Sequence, residues 1–265
     1  MHTPVITSRQ HPLVKDFREL ARGVDGRLLL DGWHLLAEAA AAGLTIETVA
    51  VGGPPRRDEQ RLLDRLQATG ATMVTVSSAV LNALSPVHAP TGVVASARTP
   101  EVQVSSVVAP SPALVLAAAG LQDPGNAGAS IRSAAAAGAT GVVLDEASAD
   151  PWGWKALRAS MGSAFHLPVC RVRAMAALVD DWRRSGVTIA ATVPRGGVSM
   201  YDHDFRRPTA LLVGGEGPGL ASELIASADV RISIPMHGTI ESLNVAVAAA
   251  VVLYEAQRQR SSEKG

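Results

Sequence analysis

The chain has one cysteine, no excess charge of either sign and no long apolar run. Cys170 alone cannot form an intrachain disulfide, which fits a reducing compartment. Within Leu167-Pro168-Val169-Cys170 it reads as a small buried hydrophobe, not a nucleophile. Lysine plus arginine total 24, as do aspartate plus glutamate, so the global basic signature of a nucleic-acid binder is missing. Residues 1–98 hold ten basic and nine acidic side chains, and residues 99–265 hold fourteen and fifteen, so any RNA surface must arise locally. The longest apolar run, Val245–Tyr254, is about half of what a membrane span requires. Met1–Pro12 lacks the apolar core of a signal peptide. A soluble, cytoplasmic protein without membrane contact is expected. Also missing are the Gly-x-x-x-x-Gly-Lys phosphate loop and the Gly-x-Gly-x-x-Gly dinucleotide fingerprint, so neither ATP nor NAD is favoured. The seven histidines show no paired ligand spacing, and no metal is expected.

What is present is an alternation of short apolar strands and helices, the pattern of α/β domains. In residues 1–98, strands are expected at 27–30, 45–51, 71–76 and 92–97, with helices at 33–42, 58–68 and 77–84. An amphipathic helix over 8–22 carries Leu13, Phe17 and Leu20 against Arg9, Lys15, Arg18 and Arg22. Its basic face is either a solvated surface or a phosphate-contacting one. Residues 99–112 are rich in Thr, Pro, Ser and Val with little charge, and Pro100, Pro110 and Pro112 oppose a continuous helix, which predicts a linker. From Ala113 the alternation restarts. Strands are expected at 113–119, 141–144, 167–171, 187–193, 209–213 and 230–235, with helices at 127–137, 152–161, 175–185 and 221–226 and a terminal helix from Val245. The near-continuous apolar strands imply a parallel sheet covered on both faces.

Three loops at the ends of this pattern carry the polar and small residues. Thr209–Val213 runs into Gly214-Gly215-Glu216-Gly217-Pro218-Gly219, where glycines let backbone approach a ligand or take positive φ. A second strand runs out through Ile234-Pro235-Met236-His237-Gly238. Ser242-Leu243-Asn244 then opens the Ala/Val-rich helix. A third loop, Asp123-Pro124-Gly125-Asn126-Ala127-Gly128, enters a helix whose only charge is Arg132, and Asn126 reads either as the helix N-cap or as a functional side chain. Arg132 either anchors a substrate or serves the surface. Strand carboxyl ends are where open α/β sheets bind ligands.

Together, Asn126-x-Gly128-x-x-x-Arg132, Gly215-Glu216-Gly217-x-Gly219-Leu220 and Ile234-Pro235-Met236-x-Gly238-x-x-x-Ser242-Leu243-Asn244-Val245 resemble the three ordered motifs of the SpoU (TrmH-type) RNA 2′-O-ribose methyltransferases, of the SPOUT superfamily. The resemblance covers residues 113–257, with Arg158–Ala164 and Leu167–Val169 similar to the family's intervening helix and strand. Residues 5–97 resemble the L30e-like substrate-binding domain of some members, with Asp31 where a glutamate is more usual. The resemblance implies an L30e-like RNA-binding domain over 1–98, a linker over 99–112 and a methyltransferase domain over 113–265 with a deep trefoil knot, an exception to ordinary topology rules. It implies S-adenosylmethionine as cofactor, held by Val213, Gly214, Gly215, Glu216, Gly217, Ile234, Met236, Ser242, Leu243 and Asn244. It also implies a homodimer in which the first motif completes the partner's site.

In the family, the arginine matching Arg132 has been proposed as a general base. A guanidinium does not release its proton in proteins, so a clamp on phosphate and on developing negative charge is the better expectation. Asn126 and Asn244 are expected to orient the ribose, and Glu216 to orient Arg132 or Asn126. The separate N-terminal domain favours ribosomal RNA over transfer RNA. Transfer RNA, or a non-catalytic RNA-binding role on the same scaffold, is the alternative. Arg9, Lys15, Arg18 and Arg22 are the candidate RNA contacts.

Overall fold

The computed structural model describes residues 5–23 and 26–262, so Met1–Pro4 of the N-terminal segment lies outside the described residues. In chain order the elements are α1 (Pro12–Leu20), β1 (Arg27–Asp31), α2 (Trp33–Ala41), β2 (Ile46–Val51), α3 (Arg57–Ala68), β3 (Thr72–Thr75), α4 (Ser78–Leu84) and β4 (Val93–Arg98). After these come β5 (Leu114–Ala119), α5 (Pro124–Ala136), β6 (Gly141–Asp145), α6 (Trp154–Ser160), β7 (Val169–Val172), α7 (Met175–Arg184) and β8 (Thr188–Thr192). The chain continues with β9 (Val198–Ser199), β10 (Thr209–Gly214), α8 (Ser222–Ser227), β11 (Val230–Ser233) and α9 (Val245–Ser261). Two compact units result. One holds residues 1–101 and 152–165, and the other residues 102–151 and 166–265.

The first unit is built on a mixed sheet of order β1-β4-β2-β3, with β4 antiparallel to both neighbours and β2 parallel to β3. The amphipathic stretch near the N-terminus is α1, with a proline in its first turn and Val14, Phe17 and Leu20 buried at three-residue spacing. With α4 it packs onto Leu29, Ala50 and Val94 of the sheet.

The sequence pattern assigns 152–161 to the second domain, whereas residues 152–165 pack within the first unit. Ala156 and Leu157 are fully buried, Gly162 fits against the Glu38 side chain, and the Met161 carbonyl meets His34 Nε2 at 3.1 Å. Arg158 lies 4.0 Å from Asp31, whose carboxylate also accepts the Ser85 hydroxyl. Burial raises the Asp31 pKa, against the opposing pull of Ser85 and Arg158. Raised means that the native state keeps this proton at a pH where the unfolded chain has released it. Stability therefore falls as pH rises from the ordinary carboxyl value through the raised one. Asp31→Asn should gain melting temperature relative to the native sequence as pH rises above the ordinary carboxyl value of about 4. A difference constant with pH, measured by thermal denaturation, would show that the charge is not what costs stability.

The second unit carries a sheet of order β7-β6-β5-β10-β8-β11-β9, with every pairing parallel. All six residues of β5 are buried, as are Thr209–Val213 of β10, as a sheet covered on both faces requires. β9 is too short to leave a sequence signal. The stretch expected as a linker departs from that reading. Val104–Val107 forms a 3-10 turn whose Val107 is fully buried in the second unit's core and abuts Gly141, and Thr140 Oγ1 donates to the Val107 carbonyl at 2.6 Å. Its valines found apolar surface to cover, which outweighed the prolines. Cys170 is buried in the same core, and burial pushes its thiol pKa up, consistent with an inert hydrophobe.

Parallel pairing puts the carboxyl ends of β5, β10 and β11 on one edge of the sheet. At the opposite end of α9, Arg260 donates to the carbonyls of Pro112, Ala113, Phe205 and Arg207 at 2.7–3.0 Å. Burial lowers its basicity, and four carbonyl oxygens stand in for the lost water. Among the described residues no helix is long and apolar enough to cross a membrane, and no group of three or more potential metal-ligating side chains is found.

Candidate functional site

The site grows from three chain segments at that sheet edge. After β10 the chain turns through Gly215–Gly219, closed by an antiparallel bridge between those two glycines. The three glycines of this loop and Gly214 before it serve two purposes. Gly217 and Gly219 take φ of +94° and +68° with open space around them. Gly214 and Gly215 are instead crowded by the protein's own backbone. A Cβ on Gly214 would collide with Gly219 and the Leu220 nitrogen, and one on Gly215 with the Gly120 carbonyl oxygen. Gly215 N–H donates to Ala119 O at 2.8 Å, which docks the loop onto the end of β5.

The second segment is the start of α5. Asp123, not Asn126, is the N-cap. Its carboxylate accepts the Asn126 N–H at 2.8 Å, and Pro124 occupies the first turn. Proline preset for N1 fixes the helix start three residues earlier than the sequence pattern places it. Asn126 is thereby freed from capping, and its side chain points at the glycine loop.

The third segment ends at Asn244, the N-cap of α9. Its Oδ1 accepts the N–H groups of Ala246 and Val247 at 3.0 and 3.3 Å. That sets the polarity of everything beyond it. Backbone N–H groups can only donate, so the oxygen of Asn244 must face the helix and its nitrogen must face outward. Asn244 Nδ2 donates to Asn126 Oδ1 at 3.1 Å, which turns the Asn126 nitrogen toward Glu216, where it donates to Oε1. A relay from helix cap to amide to amide to carboxylate joins the three loops. Asn126 retains one N–H for a ligand, and the second oxygen of Glu216 is also available.

Arg132 is exposed on α5 with no hydrogen bond or ion pair among the described residues, and Glu216 engages Asn126 instead of it. Val213 is buried inside β10, and Ile234 and Met236 are half-buried just past β11. Ser242 and Leu243 are exposed in an irregular segment leading to Asn244, and Ile240 in the same stretch is 58% exposed. The RNA-contact candidates lie in the first unit. Arg9 Nε donates to the Ala79 carbonyl and Lys15 pairs loosely with Glu19, while Arg18 and Arg22 are exposed without partners among the described residues.

Residues 113–254 match the model of the SpoU rRNA methylase family, and residues 12–95 that of the MRM3-like substrate-binding domain. The chain is 37% identical to an uncharacterized tRNA/rRNA methyltransferase of Synechocystis over 96% of this chain and 94% of that one. It is 33% identical to the Bacillus subtilis 23S rRNA (guanosine(2553)-2′-O)-methyltransferase RlmP, covering 94% and 97%. The AdoMet-bound rRNA methyltransferase of Sinorhizobium meliloti superposes with a TM-score of 0.87 at 30% identity, covering 96% and 97%. The SpoU methyltransferase AviRb of Streptomyces viridochromogenes, in complex with AdoMet, superposes at 0.84 with 29% identity, covering 95% and 100%. With a family model matching over half of its length and relatives aligned nearly end to end, the chain belongs to the SpoU methylase family.

Proposed function

We propose that the protein transfers a methyl group from S-adenosylmethionine to a ribose 2′-hydroxyl of ribosomal RNA. The observation that carries this reading is the relay Glu216–Asn126–Asn244, which joins the three loops expected to bind cofactor and ribose. The residues present suit the cofactor. The loop Gly215–Gly219 and the irregular segment 234–244 expose backbone donors and acceptors, and Ile240 and Leu243 expose apolar side chains suited to a planar base. Bound there, S-adenosylmethionine supplies an electrophilic methyl group. The protein's own task is to place the 2′-oxygen in line, worth roughly 7–11 kcal/mol through proximity. The free N–H of Asn126 and the adjoining Asn244 hold the ribose, Glu216 fixes Asn126, and Arg132 clamps phosphate and the negative charge developing on oxygen. Membership of the family carries with it the expectation of a trefoil knot around this site.

Ribosomal RNA is favoured because the RlmP relative, alignable over nearly its whole length, is named for a 23S rRNA guanosine. Arg18 on α1 and Arg22 in the turn after it, both exposed and without partners among the described residues, are the proposed phosphate contacts within the first unit. A homodimer is the proposed working state. Val247 and Tyr254 lie seven residues apart on α9, about half exposed on a helix packed beside α5, and Arg132 lacks a partner among the described residues. Labelled-methyl transfer to rRNA and tRNA pools, with ribose methylation mapped in cells with and without the gene, tests the reading. A mark lost from tRNA with rRNA unchanged would move the substrate to tRNA. RNA binding without transfer to any pool would make the protein a non-catalytic binder.

The polarity of the relay makes its own prediction. Asn244→Asp keeps an excellent N-cap, favoured by the helix dipole. It places a carboxylate against Asn126 Oδ1, however, and if Asn126 turns over, its oxygen meets Glu216 instead. The melting temperature should hold while turnover falls at least about tenfold, one broken hydrogen bond to charge being worth about 1.5–3 kcal/mol. Turnover near that of the native sequence would show that the relay is dispensable.

A further inference from the structure

We propose that Asp145, at the end of β6, is a positioning residue for this reaction, setting where the Asn126 loop leaves the sheet. The inference rests on the methyltransferase reading above and adds a residue that none of the three motif loops contains.

Every group facing the Asp145 carboxylate is a donor. Gly120 N–H reaches both oxygens, at 3.0 and 3.1 Å, while Ser148 N–H and Ser148 Oγ reach Oδ1 at 2.9 and 2.6 Å. Since the Ser148 hydroxyl spends its proton on Asp145, its lone pairs are left to accept, and they take the Leu121 N–H at 3.0 Å. The Leu121 carbonyl in turn accepts Ala149 N–H at 2.8 Å. The backbone at 120–121 is thus gripped by the turn that follows β6, and Ser148 is buried. No cation lies within ion-pair distance of Asp145 among the described residues, so the carboxylate is held by these donors alone.

The same peptide is held from the other side. The Gly120 carbonyl occupies the space that a Cβ on Gly215 would need, and Gly215 N–H binds Ala119 O. Gly120 is therefore wedged between Asp145 and the glycine loop, and three residues later Asp123 caps the helix that carries Asn126 and Arg132. The grip fixes the reach from Asn126 to Glu216, a distance at which a displacement of about 1 Å can cost 10²-fold in rate.

The test uses the full-length chain with Asp145→Ala, Asp145→Asn and Ser148→Ala. Amide hydrogen exchange across 118–130 and the affinity for the demethylated cofactor product are read independently of turnover. For Asp145→Ala, exchange at 120–126 should rise, kcat per folded molecule should fall about 10- to 100-fold, and product affinity should stay within about threefold, because the loop Gly215–Gly219 is closed by its own bridge. Asp145→Asn should be intermediate. Its oxygen can still accept from Ser148, but its amide nitrogen cannot accept from Gly120. Unchanged exchange would overturn the clamp itself. Raised exchange with unchanged kcat would reduce Asp145 to a structural residue and overturn the proposal. If the native protein methylates no RNA, the functional reading fails and with it the positioning role, while the exchange result still decides whether the clamp exists.

Discussion

Arg132→Ala is expected to lower methyl transfer by about 10²- to 10³-fold, the usual cost of removing one charge-stabilising donor from a reacting centre, while leaving the affinity for the cofactor product unchanged. Arg132 stands on a helix otherwise composed of Pro, Gly, Asn, Ala, Ser and Ile, exposed and without a partner among the described residues. Its removal therefore breaks no hydrogen bond or ion pair among the described residues, and the melting temperature should not move. Because the guanidinium keeps its proton, its role is to hold charge and not to accept it. Arg132→Lys separates two ways of doing so. A planar fork binding phosphate through two parallel hydrogen bonds is lost in lysine, whereas a point charge is kept. Turnover in the lysine variant close to that of the native sequence would mean that charge alone suffices. Undiminished transfer by the alanine variant, in a steady-state assay with saturating cofactor, would remove Arg132 from the reaction.

The second large effect is expected at Gly215. An added Cβ meets the Gly120 carbonyl oxygen, which is backbone and cannot rotate away. Gly215→Ala must push the glycine loop off the end of β5, breaking the Gly215–Ala119 hydrogen bond. Forced overpacking of this kind costs about 1–3 kcal/mol. The larger loss should be in product affinity, at least about tenfold in a calorimetric titration. Gly217→Ala provides the contrast. Its positive φ imposes strain of about 1–2 kcal/mol, but nothing lies within 4 Å of the new methyl group. Equal losses at 215 and 217 would mean that the loop is sensitive to any side chain, and that the wedge against Gly120 has no special part.

These two glycines also show how far the sequence could be read. Their placement after an apolar strand was legible, since β10 is a continuous buried run and strands of a covered parallel sheet look that way. Why each must be glycine was not, because the obstacle at 215 is a residue nearly a hundred positions earlier. The start of α5 was misplaced for a local reason. Asp123 and Asn126 both make good caps, and the deciding cue was the proline between them. Residues 152–165 were assigned by chain position to the second domain, yet the groups that hold them, Asp31, His34 and Glu38, lie more than a hundred residues upstream. Asp145 carried only the signature of a turn. A carboxylate three residues before a serine at a turn is ordinary, and its grip on Gly120 exists only in three dimensions.

Arg260 closes the second unit over a long stretch of chain. Its contacts to Pro112 and Ala113 join positions 148 and 147 residues apart. Bringing distant chain ends together costs about 2 kcal/mol more for each tenfold increase in loop length, and this cost falls due before the four hydrogen bonds can form. Strand β5, interior to its sheet, is made early in the chain, but the Pro112 carbonyl at its entrance receives its donor only when α9 docks. Until then the apolar parallel strands lack their last cover, the situation in which collapsed intermediates encounter one another. The unit is thus built to fold slowly and to finish last at the edge remote from the glycine loop, and its exposure to aggregation is set by how quickly one helix arrives.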